Sequence, residues 1–457
     1  MARTPEQNNA IITGNIPRQL LLFFFPIWLG TMFQQLYNTV DTLIVGNFVG
    51  TQALAAVGAT SSFVQLLVGL FVGLCSGAGV IIAQSFGAGD HDEVNRQVHT
   101  ALALAIAGGA ALTVIGLLIS RPVLRLMQTP DEIVGMASEY LQIYFLGMIP
   151  QMIYNMGTNI LRAVGDSKRP LYFLIVASIV NIVLDIVLVA VIPLGVAGAA
   201  IATVASQVVS AVLTVRCIHG SQGMPWHLQL KNIRIERSVL LAICRIGLPG
   251  AAQSALYSIS NMTIQSAING FGTVAAWSVY GKIDFLFWMT VSSFGIAVTT
   301  FAGQNFGARQ YDRVRRGTMT CLAMTAGTTL CISLALYPSA QLLFRLFSSD
   351  DAVVAQGVQM MHYLVPVYMT YICIEIFSGA LRGCGDVRVP TIITVFAVCI
   401  MRIVWLAVAL PFKHELSVVE FSYPLTWITA TVLFAIYYTK GGWMQRCIAA
   451  QNAKTQG

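Results

Sequence analysis

Gln84-Ser85-Phe86-Gly87-Ala88-Gly89, followed by Asp92, Val94 and Arg96, returns 220 residues later as Gln304-Asn305-Phe306-Gly307-Ala308-Arg309, followed by Asp312, Val314 and Arg316. A second stretch keeps the same offset. Leu161-Arg162, Gly165-Asp166, Lys168 and Pro170 recur as Leu381-Arg382, Gly385-Asp386, Arg388 and Pro390. One offset held across two separate motifs marks an internal duplication. Gly87 and Gly165, with their copies, suit tight turns after helices. Pro170 and Pro390 suit the first turn of the next helix. The neighbouring Arg and Asp suit helix-end capping, so these loops are expected to build the fold and touch no substrate.

Long apolar runs flank these loops. The chain has 457 residues, 56% hydrophobic and 10% charged, against about 25% charged in a soluble protein. A chain this apolar needs lipid as its solvent. Runs of about 20 residues are long enough to cross roughly 30 Å of hydrocarbon as helix. They lack the alternation in ten-residue segments that a barrel requires. The spans read as 19–43, 54–83, 97–119, 135–160, 170–191, 196–215, 243–267, 274–302, 317–337, 355–379, 390–410 and 419–439. The first run lacks a small-residue cleavage site and reads as a retained helix. The expected fold class is an all-α membrane protein, with twelve transmembrane helices in two pseudo-symmetric six-helix bundles. The domains are an N-lobe at 1–218, a cytoplasmic linker at 219–240 and a C-lobe at 241–457. Parallel copies imply halves related by an axis along the membrane normal, with a site between or within them near mid-membrane.

The formal charge of +7 is unevenly spread. Of the 26 Lys and Arg, 20 fall on the side of the N-terminus, 4 on the opposite side, and Lys282 and Arg402 inside spans. Basic loops stay in the cytoplasm, so both termini are expected there, and nucleic-acid binding needs no invoking. The nine cysteines show no paired spacing and the six histidines no ligand pair, so neither a disulfide framework nor a metal site is expected. Without a Gly-rich loop ending in Lys-Ser or Lys-Thr, an ATP-driven pump is unsupported.

Ionisable residues inside spans are functional candidates because lipid penalises them. Those identified are Asp41, Asp185, Asp284, Glu375, Lys282 and Arg402. In the first span Gln34, Tyr37, Asn38 and Asp41 fall at i, i+3, i+4 and i+7, a single polar stripe. The copy reads Ser254, Tyr257, Ser258 and Asn261, extended by Gln265, so the aspartate has become Asn261. Asn181 and Asp185 lie one turn apart in the fifth span. Thr203 follows the small-residue run Gly195–Ala200, which permits close helix approach. If spans one, five and six meet, Asp41, Asn181, Asp185 and Thr203 form an oxygen-rich pocket. Two carboxylates in a weakly hydrated site cannot both ionise cheaply, so the pair is expected to accept a proton. A small cation is the other ligand such oxygens suit, and a structural hydrogen-bonded pair is the plain alternative. Lys282 and Asp284 should point to different sides, Glu375 lies near Thr370 and Tyr371, and Arg402 is expected to neutralise one of the acids. Pro26 should kink the first helix.

Tyr37-Asn38-Thr39-Val40-Asp41, the two Gln-x-Phe-Gly-Ala loops, the two Leu-Arg-x-x-Gly-Asp loops and Asn181-x-x-x-Asp185 together resemble the multidrug and toxic compound extrusion (MATE) family. The likeness covers roughly residues 15–440 and is similar to the bacterial branch whose N-lobe aspartates carry the coupling ion. It implies a secondary antiporter of a bacterial inner membrane, exporting small organic cations as protons or Na+ enter. It implies ion coupling at Asp41, Asn181, Asp185 and Thr203. The substrate cavity is expected to use Gln34, Tyr37, Asn38, Tyr257, Asn261, Asp284 and Glu375, with aromatics such as Trp277 stacking on flat cations. No cofactor beyond the coupling ion is expected, and the chain should act as a monomer in the bilayer. Some relatives place an acid in the seventh helix; Asn261 stands there, so a C-lobe sodium site is not expected. A flippase for a lipid-linked or specialised cargo is the rival reading. It would call for an arginine-rich cavity and often extra helices. A channel or an enzyme fits less well.

Overall fold

The computed structural model describes residues 10–456, which are helical almost throughout. In chain order the α-helices are α1 (Ala10–Thr13), α2 (Ile16–Ile44), α3 (Thr51–Gly87), α4 (His91–Leu126), α5 (Asp131–Leu146), α6 (Met148–Ala163), α7 (Lys168–Asp185) and α8 (Gly195–His219). They continue as α9 (Arg237–Gly270), α10 (Val274–Gly307), α11 (Tyr311–Phe347), α12 (Asp351–Leu364), α13 (Tyr368–Gly383), α14 (Arg388–Thr394), α15 (Met401–Phe412), α16 (Leu416–Lys440) and α17 (Trp443–Gln456). Three short π-helical segments are inserted, at Val45–Val49, Ile186–Val191 and Val395–Ile400.

Among the described residues eleven helical stretches are long and apolar enough to cross a membrane. They match eleven of the twelve expected spans. The remaining one, 135–160, is two 16-residue helices, α5 and α6, meeting at Gly147. Broken backbone is costly in lipid unless its polar groups find partners. Here the Gly147 N–H donates to Tyr144 O at 3.0 Å and the Gly147 carbonyl accepts from Gln151 at 3.1 Å, so the break stays hydrogen-bonded. Pro26 sits inside α2 without ending it.

The chain condenses into two compact units. Unit 1 runs from Phe25 to Ala251, and unit 2 takes Ala10–Phe24 with everything from Ala252 onward. The first turns of α2 thus belong to unit 2, and the first half of α9 belongs to unit 1.

Within unit 1 the core is built on apolar faces of α3, α4, α5 and α6, with Phe71, Phe145, Met152 and Ile160 enclosed. α3 meets the start of α9 at backbone distance. A Cβ added at Gly77 would lie 2.6 Å from Ile243 O, and one at Gly247 would lie 2.7 Å from Leu74 Cα. Only glycine fits such an approach. The linker is tied back onto α4: Asn95 donates to Pro225 O (3.3 Å) and His227 O (3.0 Å), and Arg96 pairs with Glu236 at 2.6 Å. Hydrogen bonds from Arg96 and Arg234 hold the Glu236 carboxyl below the usual carboxylate range. In the small-residue run of α8, a Cβ at Gly198 would meet Leu188 O at 2.8 Å, so this helix does approach the preceding segment closely.

Within unit 2, α10 packs along α13, and the start of the chain is fastened to the same unit. Asn305 donates to Ile11 O at 3.4 Å, Arg313 to Ile11 O at 3.0 Å and to Gly14 O. Phe24 stacks on Phe294 with centroids 4.0 Å apart.

The repeated loops do structural work, with one correction. Gly165 (φ +93°) and Gly385 (φ +89°) take the left-handed conformation, and Asp166 accepts from the N–H groups of Lys168 and Arg169 at 3.1 Å. In the other loop, however, Gly87 is the last helical residue of α3. The left-handed turn falls two residues later, on Gly89 (φ +73°) and its copy Arg309 (φ +59°). The helix simply runs on before turning.

Two outcomes follow. Gly77→Leu should lower the thermal stability of detergent-purified protein, by roughly 1–3 kcal/mol for overpacking. Gly58→Ala, where nothing lies within 4 Å of the added Cβ, should change it little; equal melting of the two variants would contradict the close approach. Glu236, held low by its arginines, stabilises the linker above the ordinary carboxylate value near 4.3 and stops doing so as pH falls through its depressed value. Hydrogen exchange across 225–236 should therefore rise in Glu236→Gln at pH 7, and in the parent protein only on strong acidification.

Candidate functional site

Unit 1 gathers its acids where helices end or change winding. Asp185 is the last residue of α7 and is followed at once by the π segment Ile186–Val191. Asp41 stands one turn before the π segment Val45–Val49. Such segments often mark sites where a helix is reshaped for function. The two carboxyl groups face each other closely enough for direct interaction. Asp185 is 0% exposed and Asn181, one turn earlier, is 1% exposed. Neither Asp185 oxygen nor either amide atom of Asn181 makes a hydrogen bond of normal geometry with the described residues. Buried polar atoms are rarely left so, and here they cluster in one place.

Tyrosines surround the pair. Tyr37 lies near Asp41, Tyr144 and Tyr154, and Tyr140 lies near both acids. Tyr140 stacks on Tyr144 at 6.0 Å, and the Tyr144 hydroxyl sits beside Gln151 and Gln207. The helix break explains how Gln207 gets there: a Cβ at Gly147 would lie 2.4 Å from its Oε1.

Of the expected coupling residues, the structure brings Asp41 to Asp185, with Asn181 enclosed beside the latter. Thr203 differs. Its hydroxyl donates to Ala199 O of its own helix at 3.0 Å, which satisfies it without the acids. On the stripe of α2, Tyr37 is half-buried while Gln34 and Asn38 are exposed.

Unit 2 holds a cavity of about 580 Å³. Tyr257, Asn261 and Gln265 from α9 line it, with Asp284 from α10 and Arg402 from α15. Aromatic rings complete the wall: Trp277, Tyr280 and Trp288 of α10, Tyr371 of α13, Tyr423 and Trp427 of α16. Asp284 accepts from the Tyr368 hydroxyl at 2.5 Å and from the Trp288 indole at 2.6 Å. Lys282 points elsewhere, over the Phe347 ring at 5.5 Å. Glu375 does not line this cavity. It nests against Gly295, where a Cβ would lie 2.4 Å from Oε1, within 3.5 Å of the Tyr371 hydroxyl and 3.8 Å of Arg382. The expectation that Arg402 neutralises an acid is corrected. Among the described residues it makes no ion pair; its guanidinium lies 4.6 Å from the Tyr423 ring and donates to Thr426 at 3.3 Å.

Several participants escape the sequence reading. Glu420 also lies inside a span, 4% exposed with Oε1 unpartnered, and Glu139 lies exposed on α5, so the roll of ionisable residues in spans was short. Gln151 and Gln207 are polar residues in apolar helices, a signal as good as Asn181. Tyr140 and Tyr144, spaced i and i+4, had a signal too. Of the tryptophans lining the cavity of unit 2, Trp277 was expected there, while Trp288 and Trp427 were not singled out.

No ion or metal cluster of three or more His, Cys, Asp or Glu is formed among the described residues. Comparison with known proteins places the chain in a family. The MatE family pattern matches residues 26–187 and again 249–408, one match in each copy of the repeat. The chain is 28% identical to the probable multidrug resistance protein YoeA of Bacillus subtilis (strain 168), over 92% of this chain and 93% of that one. It is also 28% identical to the probable multidrug resistance protein YpnP of the same organism, over 94% and 96%. A crystal structure of MATE in the bent conformation superposes with a TM-score of 0.89 over the whole of both chains at 22% identity, a likeness of fold. With two family matches in tandem over most of its length and an all-helical membrane architecture to carry them, this chain belongs to the MATE family of multi-pass membrane transporters.

Proposed function

We propose that the protein is a secondary active multidrug efflux antiporter, exporting small organic cations in exchange for protons or sodium ions while its two halves rock. The observation that carries this reading is half-buried Asp41 facing fully buried Asp185, with Asn181 beside the latter. Two facing carboxyl groups out of water repel each other when both are ionised. A proton, a sodium ion or an organic cation each relieves that repulsion, so the three compete for one place. Competition of that kind is what exchange requires. Each elementary charge entering through the full membrane potential supplies about 2.3 kcal/mol per 100 mV, enough to drive cargo out against a gradient.

In the proposed cycle the ionised pair binds a cationic cargo, with half-buried Tyr37 beside it to meet a flat ring. A proton arriving from outside displaces it, and loss of that proton to the cytoplasm restores the site. The names of the two Bacillus subtilis relatives support a drug cargo. The charge bias of 20 Lys and Arg against 4 supports cytoplasmic termini in a bacterial inner membrane.

The coupling is tested in proteoliposomes. Asp41→Asn should abolish cation-driven proton release while the purified variant keeps its elution profile and melting temperature. Separate pH and sodium gradients identify the ion. Full pH-dependent efflux by Asp41→Asn defeats the assignment. The orientation is tested with fusions: a fluorescent protein at the C-terminus should light up in cells, and alkaline phosphatase inserted at Ser348–Ser349 should be active. The reverse pattern would invert the topology.

A further inference from the structure

The cavity in unit 2 carries one acid and one base where unit 1 has an acid pair, and the antiport reading expects an organic cation beside its Tyr257, Asn261 and Asp284. Its volume, about 580 Å³, is that of a small-molecule site. The rings of Trp288, Tyr371 and Trp427 meet one another at 4.6–6.0 Å between centroids, and Tyr423 stands 5.2 Å from Trp427. A wall of this kind favours a flat aromatic ligand.

Two charged side chains line the cavity, and they are not equally satisfied. Asp284 already accepts from a hydroxyl and an indole N–H, both at short distance. Arg402 is 2% exposed, its Nε meets no acceptor, and one 3.3 Å bond to Thr426 is its hydrogen bond to the described residues. Among the described residues no carboxylate forms an ion pair with it, and Asp284, on the same lining, is already bonded to Tyr368 and Trp288. A guanidinium cannot shed its proton to escape burial, and a buried charge without a counter-ion is costly. The Tyr257 hydroxyl, on the same wall, stands beside Tyr371 but makes no hydrogen bond of normal geometry with the described residues. The cavity therefore offers two donors in want of an acceptor and one acid whose demand is met.

We propose that this cavity binds flat aromatic carboxylates, the carboxylate on Arg402 and the ring among the tryptophans and tyrosines. Arginine binds a carboxylate through two parallel N–H bonds, and the free Nε supplies one of them. Binding here does not rest on the antiport reading, because it involves neither Asp41 nor a gradient.

The test uses a matched pair of probes, 2-naphthoate and 2-naphthylmethylammonium, titrated into the full-length protein in detergent at pH 7.5 by calorimetry. The unaltered protein should bind naphthoate saturably and at least tenfold more tightly than the ammonium. Arg402→Met should weaken naphthoate at least tenfold, Arg402→Lys should recover part of it, and Asp41→Asn should leave it unchanged. Equal or tighter binding of the ammonium by the unaltered protein overturns the proposal, whether or not the Arg402 variants fold. So does a folded Arg402→Met that binds naphthoate normally. Naphthoate selectivity with failed proton coupling would sink the antiport reading alone.

Discussion

A carboxyl group enclosed by membrane-spanning helices has no bulk water to share its charge, and that single constraint organises unit 1. Asp41 and Asp185 come from helices far apart in sequence and face one another. The surrounding irregularities converge on the same place. α7 gives way to a π segment immediately after Asp185, and α2 does so soon after Asp41. The fourth crossing breaks at Gly147, admitting Gln207 beside Tyr144. In hydrocarbon a departure from regular helix exposes backbone groups, so it persists where something else is served. Here the two π segments adjoin the acids, and the break at Gly147 leaves room for Gln207 beside Tyr144.

Much of this was legible in the sequence because lipid makes few exceptions. Apolar runs of spanning length declare helices, and the offset of 220 declares two copies. Asp41 and Asp185 declare themselves because each is the one charged residue in its apolar run, 19–43 and 170–191, and Asn181 because it lies one turn before Asp185. What was not legible has a physical reason in each case. The break at Gly147 leaves the hydropathy of its span intact, so the span reads as one helix. Thr203 can satisfy its hydroxyl on Ala199 O, a local bond open to any threonine in a helix, so spacing alone cannot say where it points. Gly87 and Gly89 are equally able to turn, and only the length of α3 decides between them. The partners of Arg402 are rings and a hydroxyl rather than an acid, and charge counting sees neither.

The duplication gave both copies a similar scaffold, and their chemistry has since diverged. Tyr37 and Tyr257 keep the same residue at the shared offset, while Asp41 becomes Asn261, Gln151 becomes Tyr371 and Asn155 becomes Glu375. The acids of unit 2 stand at other positions and are differently housed. Asp284 is held by two donors, and Glu375 sits against Gly295 with Arg382 at 3.8 Å.

That difference in housing bears on which unit can exchange an ion. A proton or cation arriving at Asp284 must compete with two donors already fixed on its oxygens. The Asp41–Asp185 pair lacks such donors: both Asp185 oxygens and one Asp41 oxygen stand unbonded. An arriving proton meets no competitor, and its loss leaves two like charges facing each other. Had Asp284 been the coupling residue, its Tyr368 and Trp288 donors would have had to swing away at every turnover. No such rearrangement of the wall is required of unit 1.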